Sequence, residues 1–145
     1  MAYASAADLT LAWGADEVAR SGDRDGDGDA DTGVIDRALD DASAEIDGYI
    51  GRVYDLPLVE PYPVLLRRLA CDVAIYRMSG TIAPLTDEKR RRYDDALRTL
   101  ERIAEGDMDI GLGVGGEAQA VTSPVEHGAD EREWTRDTTA AGGLW

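Results

Sequence analysis

VLLRRLACDVAIYRM, residues 64 to 78, is the stretch whose reading decides the fold. Leu65, Leu66, Leu69, Ala70, Val73, Ala74, Ile75 and Tyr76 are spread nearly all round a helical projection. A helix apolar on every side has to be enclosed by others, so the segment predicts the central member of an all-α bundle. Gly80 stops it on one side. On the other side stands DLPLVEPYP, residues 55 to 63, where Pro57, Pro61 and Pro63 remove backbone donors and disfavour helix in the residue before each. That stretch reads as a stiff connector.

Working outward, Thr32 is placed to cap a helix running to about Val53, with Ile35, Leu39, Ala42, Ile46, Tyr49 and Val53 on one face. Asp36, Asp40, Ser43 and Asp47 are expected to face water. Thr86 opens another helix, which sets Tyr93, Leu97, Leu100, Ile103 and Ala104 on one side and pairs Arg91 with Asp95 and Asp94 with Arg98 on the other. Within it, KRRR at 89 to 92 lies among Asp87, Glu88, Asp94 and Asp95, which predicts a solvated or intersubunit face in preference to a nucleic-acid grip. Near the start, Ala6 to Arg20 carries Leu9, Leu11, Trp13 and Val18, and Gly14 interrupts it, so one helix or two short ones fit. The expected fold is therefore a small all-α bundle of about four helices, residues 1 to 105, with an acidic loop between the first two. An extended C-terminal arm, residues 106 to 145, follows it.

The arm is rich in Gly, Ala, Ser and Thr and has no sustained period, so it cannot bury a core of its own. Yet Trp134, Leu144 and Trp145 are costly to leave in water. Either the arm stays unstructured or it becomes ordered against another subunit. Its GLGVGG, residues 111 to 116, lacks the lysine and the preceding strand of a phosphate loop.

The formal net charge of −15 is uneven: residues 1 to 40 hold ten acids and three bases, 41 to 105 twelve and ten, and 106 to 145 eight and two. Such a surface repels DNA. No apolar run approaches the roughly 20 residues needed to cross a bilayer, and MAYASAADLT lacks the basic start of a signal peptide, so no membrane association is expected. Cys71 is the only cysteine and reads as a small buried thiol; His127 is the only histidine and falls in the arm. No nucleophile has a base beside it, and no catalytic residue is assigned.

DRDGDGDAD, residues 23 to 31, crowds five aspartates into nine positions. Counted from Asp23, it supplies Asp25 at position three, Asp27 at five, Gly28 at six, the carbonyl of Asp29 at seven and Asp31 at nine of an EF-hand loop. Position twelve is then Val34 where a bidentate glutamate belongs. Counting from Asp25 puts Asp36 at twelve but loses the glycine at six. The first register is preferred, with Asp36 or a neighbour completing the shell and calcium as the candidate ion. The competing reading is a solvated turn whose last acids favour the N-terminus of the following helix.

The order of these pieces is informative: an ADL-containing helix, DRDGDGDAD, IDRALDDASAEIDGYIGRVYDLPL, LLRRLACDVAIYRM, EKRRRYDDALRTLERIAEG and WTRD near the end. Together they resemble the small Mu-like phage proteins of the head-to-tail joining region, long catalogued as a domain of unknown function. The resemblance covers nearly the whole chain and departs from the family at the ending, which has small residues in place of basic ones. It implies a head-completion adaptor of the virion, assembled in the host cytoplasm. Such a protein forms a dodecameric ring of neighbouring subunits beneath the portal protein, extends the channel through which DNA passes, and offers a platform to the next neck or tail-completion protein. Trp134, Arg136, Asp137, Leu144 and Trp145 are then the candidate partner-binding residues. The alternative is a free calcium-binding, EF-hand-like interaction module.

Overall fold

The computed structural model describes residues 1–80 and 83–112 of the 145. Its elements are α1 (Ala6–Trp13), α2 (Ala15–Gly22), α3 (Thr32–Ile50), α4 (Val64–Met78) and α5 (Asp87–Ala104), with no β-strand among the described residues. The all-α bundle is thus as expected, with five helices where about four were foreseen. The additional one arises at Gly14, whose φ of 85° breaks the run from Ala6 into two. Ser5 caps α1 through a reciprocal pair: its hydroxyl accepts from the Asp8 amide and the Asp8 carboxylate accepts from the Ser5 amide.

The central helix spans Val64–Met78 as read, and Leu66, Leu69, Ala70, Val73, Ala74 and Ile75 are all buried. It packs most extensively on α3 and next on α5. Ser79 at its end meets Lys89 at the start of α5, and Tyr76 stacks on Tyr93, so α4 and α5 run antiparallel. From α3 the core receives Ile35, Ala38, Leu39, Ala42, Ile46 and Ile50; α5 adds Ala96, Leu100 and Ile103. Helices α1 and α2 close the remaining side with Leu9 and Val18.

Several boundaries and faces differ from the sequence reading. Helix α3 stops at Ile50, three residues before the expected Val53, because the chain turns at Gly51 towards the prolines. Asp31, not Thr32, occupies the N-cap position, and its side chain makes no capping bond. Ser43, assigned to water, is buried: its hydroxyl accepts from the Tyr3 amide at 2.9 Å and donates to the Leu39 carbonyl at 2.8 Å. Asp47 is also drawn in and accepts from the Tyr3 hydroxyl. The segment before α1 lies over that face of α3, which periodicity within α3 alone does not encode. Past residue 105 the packing continues, with Ile110 and Leu112 buried and Tyr54 donating to Asp109 at 3.1 Å.

Candidate functional site

The Asp-rich loop is suspended between α2 and α3, and its backbone is organised by its own carboxylates. Asp23 accepts from the Gly26 amide at 2.6 Å and from the Gly28 amide at 3.0 Å. Asp25 accepts from Asp27, and Asp27 from Asp29. These short-range bonds are the ones aspartate offers in place of helix. Gly28 has a φ of 99°, the left-handed conformation that position six of a calcium loop requires.

Carboxylate oxygens of Asp23, Asp25 and Asp27 lie within 4.8 Å of one another. Asp29 and Asp31 are not in that group, and Asp31 instead accepts from the Arg24 amide at 3.0 Å. Asp36 is exposed on the first turns of α3, and Val34 is partly buried against the core. The hydrogen bond from the Asp27 amide lowers the pKa of Asp25, but the charges of Asp27, Asp31 and Asp23, with some desolvation, outweigh it and hold the carboxyl above its usual range. Three hard oxygen donors repelling one another suit a hard cation. They are half or fewer of the six to eight ligands calcium takes, so the residues present fit a weakly held ion.

At the base of the loop is a residue that the sequence reading misplaced. Lys89, assigned to the outer KRRR face, is 1% exposed. Its ammonium donates to Ser79 Oγ at 2.7 Å and Ser21 Oγ at 3.0 Å and lies 2.5 Å from Glu17 Oε1. One cation therefore ties α2 to the corner between α4 and α5. Its position was legible: Lys89, Tyr93, Ala96, Leu100 and Ile103 recur at alternating steps of four and three, which makes Lys89 the first residue of the buried face.

Three residues on, Arg92 lies 4.3 Å above the Trp13 ring, bonds Glu88 at 2.8 Å and reaches Asp72 at 3.8 Å. Burial raises the Asp72 carboxyl, opposed by the charges of Arg92 and Arg68 and by the Trp13 N–H. That indole nitrogen is nonetheless buried without a hydrogen bond of proper geometry. The expected Arg91–Asp95 and Asp94–Arg98 pairs do not form; Arg98 turns to Asp95 at 3.2 Å. Cys71 is a buried free thiol, pushed up to about 12 by desolvation, as suits an inert core side chain. His127, Trp134, Arg136, Asp137, Leu144 and Trp145 lie outside the described residues, as does GLGVGG beyond Leu112.

Compared with known proteins, residues 3–127 match the family model described as Bacteriophage Mu, Gp36. The Mu-like prophage FluMu protein gp36 of Haemophilus influenzae is 40% identical over 82 residues, which are 57% of this chain and 56% of that protein. Gene product J of Escherichia phage Mu is 37% identical over 98 residues, 68% of this chain and 64% of that one. The chain thus spans less than two thirds of the length of these relatives. Among the described residues no helix is long and apolar enough to cross a membrane.

Proposed function

The chain belongs to the bacteriophage Mu Gp36 family, and from that premise we propose that it is a structural, non-enzymatic component of a phage particle, acting at the junction of head and tail. In this reading a ring of copies, twelve by the resemblance, sits beneath the portal protein, prolongs the DNA channel and presents its far face to the next neck or tail-completion protein. The observation that carries the proposal is the extent of the match: it takes in every helix of the bundle and runs on beyond them.

The charge supports the reading physically. With 30 acids against 15 lysines and arginines, the surface repels phosphate and lets DNA slide past without holding it. Trp134, Arg136, Asp137, Leu144 and Trp145 are proposed to engage the portal or an adjacent copy on assembly. Calcium at Asp23, Asp25 and Asp27 is proposed as a structural ligand that stiffens the loop. A free calcium-sensing module is not favoured, since there is one such loop and its twelfth position is Val34.

The proposal is tested by adding the purified chain to portal-bearing heads that lack it. Stable co-sedimentation, a ring below the portal in a reconstruction of the neck, and restored tail joining are expected. Heads that neither bind the chain nor need it for joining tails refute the assignment.

A further inference from the structure

Leu11 is 85% and Val64 76% exposed, the most exposed large apolar side chains of α1 and α4. Both line a groove of about 250 Å³ between α1 and α4, with buried Cys71, exposed Ala12, and Asp8, Arg67 and Arg68. That is smaller than the roughly 300–1,000 Å³ of small-molecule sites and suits one large side chain. Arg67 is engaged by Asp8 at 3.9 Å, whereas Arg68 makes no ion pair within 4.0 Å among the described residues.

We propose that this groove is the seat of the chain's own Trp134, delivered intramolecularly by the segment that follows Leu112. Three observations favour this occupant. Trp134 is a large apolar side chain in a run too polar to enclose it, DEREWTRD, residues 130–137. That run carries four acids and two bases, complementary to Arg68, which has no ion pair within 4.0 Å among the described residues. The tether also fits: Trp134 lies 22 positions beyond the buried Leu112, giving a typical end-to-end distance of about 26 Å for a flexible chain. Helix α3, the longest in the bundle at 19 residues, measures about 28 Å. A tether long enough to reach across the bundle gives an effective concentration of order millimolar, far above that of a second copy in dilute solution. The inference concerns the isolated chain and does not rest on the connector reading.

The test uses the full-length, nitrogen-15-labelled chain and its tryptophan indole signals, with that of Trp134 assigned from a Trp134→Phe variant. Leu11 is solvent-exposed, so Leu11→Asp should leave the Trp13 signal in place and move that of Trp134 to the position of a free indole. Arg68→Glu should move it part of the way, and a hundred-fold dilution of the wild type should not move it at all. A Trp134 signal indifferent to Leu11→Asp overturns the proposal. So does one that shifts on dilution, because the occupant would then be a second copy.

Discussion

Replacing Lys89 with methionine keeps the length of the side chain and removes its charge, so the change isolates the three polar contacts at the base of the loop. Glu17 is 25% exposed and can regain water, which limits its share of the loss. Ser21, at 1%, has Lys89 as its only side-chain partner among the described residues and is left with a buried hydroxyl, which costs about 1–3 kcal/mol. Ser79 loses less, because its hydroxyl still donates to the Ile75 carbonyl. Against these stands the relief of no longer burying an ammonium, an effect that makes some apolar replacements of buried ions neutral or better. With that relief offsetting part of the loss, the expected net loss is about 2–3 kcal/mol, at the low end of the range for a charged hydrogen bond together with one orphaned hydroxyl. Urea unfolding should show a lower midpoint with an unchanged slope, and hydrogen exchange should accelerate first in α2. A Lys89→Met protein within 0.5 kcal/mol of the wild type, or more stable, would refute the idea that this ammonium holds α2 in place.

Leu69, 1% exposed in the middle of α4, should cost about 2–5 kcal/mol as Leu69→Ala, read as a lowered urea midpoint. Tyr93 is raised from 10.0 to about 12 by burial and then by its hydrogen bond to Glu45. Its folded pKa lies above the unfolded one, so its contribution is complete below pH 10 and disappears as the pH rises from 10 through 12; Tyr93→Phe should flatten that part of the stability profile. Millimolar calcium should raise Tm in the wild type and leave an Asp25→Asn, Asp27→Asn double variant unmoved, since a ligand that binds only the folded form stabilises it by mass action. Equal shifts in both would remove these aspartates from any cation site.

Much of the bundle was legible because its helices obey one period and its breaks have chemical causes. The borders of α4 follow from three prolines on one side and the turn at Gly80 on the other, and Thr86 does cap α5, accepting from the Lys89 amide at 3.3 Å. What sequence periodicity could not supply was contact between distant segments. Ser43 looks solvent-facing within α3 and is buried only because Tyr3, 40 positions earlier, lies across it. Lys89 differs for another reason: it stands beside three arginines, a composition typical of surface, yet its position begins the apolar stripe of α5. The loop was legible as a string of ligand types. Which oxygens converge depends on backbone conformation, and there Asp31 turns to the Arg24 amide while Asp23, Asp25 and Asp27 come together.

The two ends of the bundle differ in the side chains they expose, and the difference bears on how the molecule can assemble. At one end the Asp-rich loop borders the last turn of α4, where Arg24 and Gly33 lie beside Arg77 and Met78, with Lys89 holding α2 beneath it. Towards the other, where α4 begins, are Val59 and Val64, both well exposed, with the Leu11 groove alongside. An isologous dimer needs one patch that complements itself, whereas a heterologous assembly needs two different patches on each copy. A carboxylate cluster cannot pair with its own image without a cation, and apolar side chains gain nothing by facing it. Contacts of like with like are thus disfavoured at the Asp-rich loop, whereas the exposed valines at the other end, set among Asp55, Glu60, Glu105 and Asp107, call for an apolar partner with a basic rim. A body with this difference between its ends is suited to bridging two unlike neighbours, which is the property the proposed place between head and tail demands.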